Sequence, residues 1–358
     1  MTATDIGQLR IYHQQLALAP FTQAGQVVSW LGAMQAQDYI GALWSIGLRM
    51  NRATEQGVEQ ALAERSFVRT WPMRGTLHFV AASDVRWMLA LLTPRIIAQS
   101  GARHRQLELD QAVFNRSKDI FIQALQGGKH LTRDELYQQL EQVGIITTGQ
   151  RGYHLLGRAA QDALICFGLP RGKEQTFTLL DEWIAPTKPL TREEALAELA
   201  RRYFTSHGPA TVQDLVRWTG ITVTDAKAGI AAVQHELLEE SIAGQRYWLP
   251  NRLSAISDSA PIAYLLPGFD EYMLGYGDRS AVLDPAYANL ICPGGNGVFQ
   301  PTMVLNGNVV GTWKRMIKKG KVLITFAPFV PLSDVELEWF VPAAERYATF
   351  LGLQVEFK

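Results

Sequence analysis

An α+β fold is predicted, with three tandem winged-helix domains followed by a C-terminal, mainly β domain. Three observations lead to it. Three times along the 358-residue chain, apolar residues at helical spacing give way to two short β-prone runs joined by a tight turn. The third set contains a clear helix-turn-helix, with a helix start at Thr211, a tight turn at Trp218-Thr219-Gly220-Ile221 and a recognition-type helix over 224–236. Over 263–358 the pattern changes to Gly, Pro and short β-prone runs, with one helix from Ser333 to about Leu351.

In the first set, helices are predicted near 6–17, 24–34, 39–49 and 54–64, then strands over 66–71 and 76–80 around Pro72-Met73-Arg74-Gly75. A helix over 82–100 carries the chain across. The second set has helices near 110–126, 132–143 and 149–163, and Thr132 with Glu135 reads as a capping box. Its strands, 163–169 and 175–180, flank Pro170-Arg171-Gly172-Lys173. In the third set, helices near 191–206, 211–218 and 222–237 precede strands 238–242 and 245–249. The expected domains are residues 1–105, 106–188, 189–255 and 256–358.

Composition is that of an ordinary soluble globular protein. Lys plus Arg equals Asp plus Glu at 34 each, so any nucleic-acid site must come from local charge segregation. The two cysteines, Cys166 and Cys292, have no metal-ligand spacing, and no metal or other cofactor is expected. The N-terminus lacks the basic start and apolar run of a signal peptide, and no stretch reaches the length of a membrane span. A cytoplasmic monomer is expected.

The most informative local feature is Gln35-Ala36-Gln37-Asp38, set between two apolar helical stretches. Asp38 is a suitable N-cap for the second stretch. On a continuous helix Gln35 and Gln37 would diverge by roughly 200°, but at a helix-helix turn both can face one cavity. Two neutral amides there can orient a water without titrating; capping and turn chemistry is the plainer alternative. Arg74, Thr76 and His78 alternate along a predicted strand and so share a face, toward a cleft or toward solvent. The run Trp313-Lys314-Arg315-Met316-Ile317-Lys318-Lys319-Gly320-Lys321 has five cations and no acid. It suits a loop that tracks phosphates, or a solvated hairpin tip. Smaller basic groups are Arg103-His104-Arg105 and the helical face Arg151, His154, Arg158.

These pieces resemble the AlkZ-like family of winged-helix alkylpurine DNA glycosylases, which includes azinomycin-resistance and YcaQ-type enzymes. The resemblance rests on Met34-Gln35-Ala36-Gln37-Asp38 and on the run from Thr70-Trp71-Pro72 through Met73-Arg74-Gly75 to Thr76-Leu77-His78. It continues through Leu265-Leu266-Pro267-Gly268, Phe269-Asp270-Glu271-Tyr272, Met273-Leu274-Gly275-Tyr276, Asp278-Arg279 and Gly311-Thr312-Trp313. Gln37 stands where the YcaQ-type branch has Asp, so the azinomycin-resistance branch is the nearer likeness. The resemblance implies a C-shaped clamp on double-stranded DNA carrying alkylated bases, with Gln35 and Gln37 catalytic.

Such an enzyme releases N7- or N3-alkylated purines. The alkylated base is already cationic, so placing a water at C1′ matters more than acid catalysis. Asp38, Arg74, Thr76, His78, Asp270 and Tyr272 are the supporting or substrate-binding candidates. Asp270 is either the charge-stabilising carboxylate from outside the Gln turn or a turn-capping Asp. Tyr272, Tyr276 and Trp313 could stack on a base, or fill a core. Arg279, Trp313, Lys314, Arg315, Lys318 and Lys319 are expected to touch DNA. The lesion is left open among a methyl adduct, a bulky adduct and a crosslink. A non-enzymatic DNA-binding regulator and a protein-interaction module are the competing classes.

Overall fold

The computed structural model describes residues 3–251 and 262–358, with side chains from residue 6 onward. The expected boundary at 255/256 lies outside the described residues. In the first segment, α1 (Ala3–His13), α2 (Ala24–Leu31), β1 (Ala33–Gln35), α3 (Tyr39–Gly47) and α4 (Glu55–Ala63) precede the hairpin β2 (Phe67–Met73) and β3 (Thr76–Ala81). Helices α5 (Val85–Gln99) and α6 (Gly101–Gln106) lead into α7 (Gln111–Leu125), β4 (Leu131–Thr132), α8 (Arg133–Gln142) and α9 (Arg151–Gln161), closed by β5 (Ile165–Phe167) and β6 (Thr176–Leu179). After the short α10 (Leu180–Trp183) come α11 (Arg192–His207), α12 (Val212–Thr219), α13 (Val223–Val233) and the hairpin β7 (Leu237–Ile242) and β8 (Gln245–Pro250). The C-terminal segment is β9 (Ala263–Leu266), α14 (Glu271–Leu274), α15 (Ala288–Ile291), β10 (Thr302–Leu305), β11 (Asn308–Lys318), β12 (Lys321–Pro328), α16 (Asp334–Glu338), α17 (Val341–Leu351) and β13 (Gln354–Phe357).

Helix starts follow the caps in the sequence. Thr132 and Glu135 form the capping box of α8, Thr191 and Glu194 that of α11, and Thr211 and Asp214 that of α12. Asp38 caps α3, its carboxylate accepting from Gly41 N–H at 3.1 Å. A side chain at position 41 would collide with that carboxylate. Two expectations are corrected. Residues 24–34 are not one helix: α2 stops at Leu31 because Gly32 adopts φ +79°, and residues 33–35 leave as a strand on β3. The helix expected from Ser333 is two, α16 and α17, with Pro342 in the first turn of the second.

The sheets explain how distant segments meet. The first is ordered β1-β3-β2, and the C-terminal sheet β13-β12-β11-β10-β9 with β13 parallel to β12. Val28, Leu43, Trp44 and Phe79 of the first segment share one apolar core with Leu265, Val304, Trp313 and Tyr347 of the C-terminal sheet. Trp44 donates its indole N–H to Leu265 O at 2.9 Å and meets Tyr347 edge-on. A second core joins α5, α11, α12 and α13, and a third joins α7–α9, β5 and β6 with Trp71 of β2. The basic groups of the second segment adjoin each other, with the His104 and His154 rings 5.3 Å apart.

Candidate active site

Gln35 ends β1, where its register partner is His78 on β3. Its backbone N–H donates to Glu271 Oε1 at 3.1 Å. Ala36 N–H donates to Leu77 O at 2.7 Å, and Ala36 O accepts from Arg69 Nε and Nη2 at 3.0 and 2.7 Å. The peptide between the two glutamines is thus fixed from both sides. Their side chains meet, with Gln35 Nε2 donating to Gln37 Oε1 at 2.6 Å.

Arg74 sets the polarity of this pair. It donates Nη1 to Trp218 O and Nη2 to Gln35 Oε1, the latter at 3.2 Å. A guanidinium only donates, so Gln35 must turn its oxygen to Arg74 and its NH2 to Gln37. Gln37 then keeps its whole NH2 group and one lone pair for something else. Arg74 is not on the strand but on the β2–β3 turn, where Arg74 and Gly75 have φ of +54° and +69°. Both signs fit a two-residue type I′ turn, and a non-glycine residue in that region is strained.

These groups line a cavity of about 670 Å³. Gln35, Gln37, Asp38, Arg74 and Thr76 supply the wall from the first segment, and Arg217, Phe269, Leu274, Arg279 and the 296–299 loop supply the wall from later in the chain. The volume suits a small-molecule-sized group, which a nucleotide's base and sugar are. Desolvation by burial lowers the Arg74 pKa, partly countered by the Glu271 charge. Arg279 donates Nε to Met273 O at 2.6 Å and lies 4.8 Å over the Phe299 ring. Burial and the neighbouring Arg217 charge pull its guanidinium down to about 10.

Several candidates lie elsewhere than expected. His78 is fully buried behind the wall: Nδ1 is 3.0 Å from Thr76 O and Nε2 is 3.3 Å from Arg74 Nη2. Burial first, and then the Arg74 charge, hold its pKa well below the ordinary histidine value. A neutral ring with Nδ1–H toward Thr76 and Nε2 accepting from Arg74 satisfies both contacts, so His78 buttresses Arg74 and does not face a ligand. Asp270 is equally removed. Its carboxylate takes two hydrogen bonds from Arg49 at 2.9 Å each and one from Ser45 at 2.6 Å, with no exposure on either partner of the ion pair. Burial would raise the Asp270 pKa, but the Arg49 charge and these hydrogen bonds lower it. A carboxylate so neutralised has no field to spare for the sugar.

Tyr272 is fully buried, its hydroxyl donating to Gly307 O at 2.5 Å, and Tyr276 is buried with its ring 3.5 Å from the Arg10 guanidinium. Trp313 is 1 % exposed and donates to Leu266 O at 2.8 Å. None of the three aromatics can stack on a base. The basic run forms the β11–β12 hairpin, turning at Lys319 and Gly320, with Lys314, Lys318 and Lys319 exposed. Arg315 is half-buried, donating to the Tyr347 hydroxyl at 2.6 Å. No residue of this run lines the cavity.

The carboxylate hydrogen-bonded to the Gln35 backbone is Glu271, which sequence reasoning passed over for its neighbour. Besides Gln35 N–H it accepts Trp218 Nε1–H at 2.8 Å, and His207 Nε2 lies 3.5 Å away. Arg69, Trp218 and Arg217 were also missed. Arg69 alone carried a readable hint, a cation inside the β-prone run 66–71 where apolar residues prevail. Among the described residues no group of three His, Cys, Asp or Glu side chains could hold a metal ion, and no helix is long and apolar enough to cross a membrane.

Residues 28–350 match the family described as DNA glycosylase AlkZ-like. The interstrand DNA cross-link repair glycosylase of Streptomyces sahachiroi is 30% identical over 355 residues, covering 91% of this chain and 92% of that protein. The solved structure of the Streptomyces sahachiroi DNA glycosylase AlkZ superposes with a TM-score of 0.76 at 25% identity, covering 100% of both chains. The chain belongs to the AlkZ-like DNA glycosylase family and is itself a DNA glycosylase.

Proposed function

We propose that this glycosylase releases purines alkylated at N7 or N3 from double-stranded DNA, with Gln35 and Gln37 placing the water that attacks C1′. The observation that carries this reading is the Gln35–Gln37 side-chain hydrogen bond of 2.6 Å on the wall of a nucleotide-sized cavity. Held by Arg74 at one end, the pair leaves the Gln37 amide free for a water or for the sugar. Neither amide is a base at neutral pH, so the contribution is orientation and electrostatics. The leaving purine carries its own positive charge, which lowers the demand for an acid, and no metal or other cofactor is invoked. Glu271, one residue from the expected Asp270, takes over as the anion behind the pair.

The three helix clusters, each closed by a hairpin, support tandem winged helices gripping the duplex as a C-shaped clamp, divided near residues 105, 188 and 255. In this reading the protein acts as a monomer, cytoplasmic and nucleoid-associated on DNA, and Lys314, Arg315, Lys318 and Lys319 track phosphates outside the cavity. The relative's cross-link repair makes a bulky or crosslinked purine adduct the second substrate to try. The deciding experiment is base release from a duplex carrying one N7-methylguanine. Wild type should free the base and leave an abasic site, and Gln35→Ala with Gln37→Ala should cut the rate by about 10²–10³-fold with an intact fold. Full activity in the double variant would remove the pair from the chemistry.

A further inference from the structure

Two guanidiniums that line the cavity with the glutamines form no ion pair among the described residues. Arg217 leaves the last turn of α12 exposed, its stem lying over Gly277, where a Cβ would meet Arg217 Cδ at 3.0 Å. Among the described residues it makes no hydrogen bond and no ion pair. Arg279 is held by backbone carbonyls, Nε to Met273 and Nη1 to Gly277 at 3.4 Å, and by the Phe299 ring, not by a carboxylate. Its Nη2 has no partner among the described residues.

The nearby acids are occupied. Asp38 caps α3. Asp214 accepts Gly277 N–H at 2.7 Å through Oδ1 and Thr211 N–H at 2.9 Å through Oδ2. Asp278 accepts Ser280 N–H at 2.8 Å. Arg74, the third cation of the cavity, is committed to Trp218 O and Gln35 Oε1.

Two guanidiniums with no carboxylate partner would repel a cationic alkylated base, so the base is not their ligand. The anion that must accompany it is the phosphodiester joining the damaged nucleotide to its neighbour. Guanidinium forks match phosphate oxygens in charge and geometry. We propose that Arg217 and Arg279 form a clamp for one backbone phosphate beside the target nucleotide, holding the strand so that C1′ faces Gln35 and Gln37. An anion between them would also offset the Arg217 charge, which after burial is the next cause of the lowered Arg279 pKa. The clamp rests on the functional reading for the location of the site, and it adds which part of the substrate the opposite wall takes.

The test is binding to a duplex with one tetrahydrofuran abasic-site analogue, compared with duplexes in which single phosphates around that site are replaced by neutral methylphosphonate. One position should weaken wild-type binding by about tenfold, the size of one charge-assisted hydrogen bond. Arg217→Gln should weaken binding to the all-phosphate duplex by a similar factor, and should lose no more on the duplex neutralised at that position. Arg279→Lys, which keeps the charge and loses the fork, should fall between. Losses that multiply at every position, or an Arg217→Gln protein that binds as wild type does, would overturn the clamp. The duplex has no base to release, so a failure of base excision on N7-methylguanine leaves this result standing on its own.

Discussion

The two walls of the cavity are built in opposite ways. On the wall from β1, β3 and the β2–β3 turn, the polar groups around the glutamine pair are committed: Gln35 N–H to Glu271, Ala36 O to Arg69, Gln35 Oε1 to Arg74 and Arg74 Nη2 also to His78. On the other wall Arg217 makes no hydrogen bond and no ion pair among the described residues, and the adjoining loop turns through Gly294, Gly295 and Gly297, all with positive φ. A group that must place a water has to be held before substrate arrives. A group that must receive a phosphate has to be left unpaired. On the reading proposed above, the first wall supplies the chemistry and the second captures the substrate.

The largest expected effect separates Asp270 from the site. Asp270→Ala strands the buried Arg49 guanidinium and should cost about 3–5 kcal/mol of unfolding free energy. Urea denaturation measures this. Base release per folded molecule should stay near wild type, and a selective loss of rate with little loss of stability would return Asp270 to the chemistry. Glu271→Gln is the counterpart. Gln35 N–H and Trp218 Nε1–H donate to different oxygens of Glu271, so in the amide one of them faces an NH2 and is left unpaired at about 1–3 kcal/mol. Here the rate should fall by about tenfold or more while affinity for an abasic duplex holds. Equal losses in both would make Glu271 a structural residue only.

Adjacent residues with opposite fates show where sequence reading stops. The hairpin Phe67–Met73 with Thr76–Ala81, the Asp38 cap and the Thr132–Glu135 capping box were all readable, because each is decided by residues within a few positions of one another. Strand β1 was not, since three residues carry no visible alternation and the strand exists only through its pairing with β3. Which of Asp270 and Glu271 faces the glutamines depends on the cap geometry of a four-residue helix and on Arg49, which lies 221 residues away in sequence. Trp313 looked available to DNA because it heads a basic run, yet β11 begins in the core and leaves it only toward its tip. The glutamine pair itself was legible as a motif, but the direction of its hydrogen bonds needed Arg74 in space.

Acid should act on the chemistry wall through His78. Unfolded, this histidine binds a proton near pH 6.5; folded, it does so only well below that. Between those values the unfolded state holds the extra proton, so stability is intact above about pH 6.5 and declines as pH falls toward the folded pKa. His13, also lowered by burial, adds to the same slope. Thermal melts from pH 8 to 5 should show this decline, with a shallower one in His78→Gln. Base release should stay flat above about pH 6.5, where the ring is neutral in both states, and a steep limb there would mean that a titrating group takes part directly.

The smallest effect belongs outside the cavity. Replacing Lys314, Lys318 and Lys319 together should weaken binding to damaged and undamaged duplex alike, and should flatten the salt dependence by about one unit per lost phosphate contact. An unchanged slope would make the β11–β12 tip a solvated turn.

The division between the walls is tested most directly by Gln37→Ala, assayed in single turnover at saturating protein on N7-methylguanine duplex. Among the described residues Gln37 donates to nothing and accepts only from Gln35 Nε2, so its loss removes the free amide and leaves the contacts of Gln35 with Arg74 and Glu271 in place. The base-release rate should drop by roughly 10²-fold, the value of one preorganised polar group, with abasic-duplex affinity unchanged. A rate within twofold of wild type, or a loss that appears only in affinity, would contradict the account.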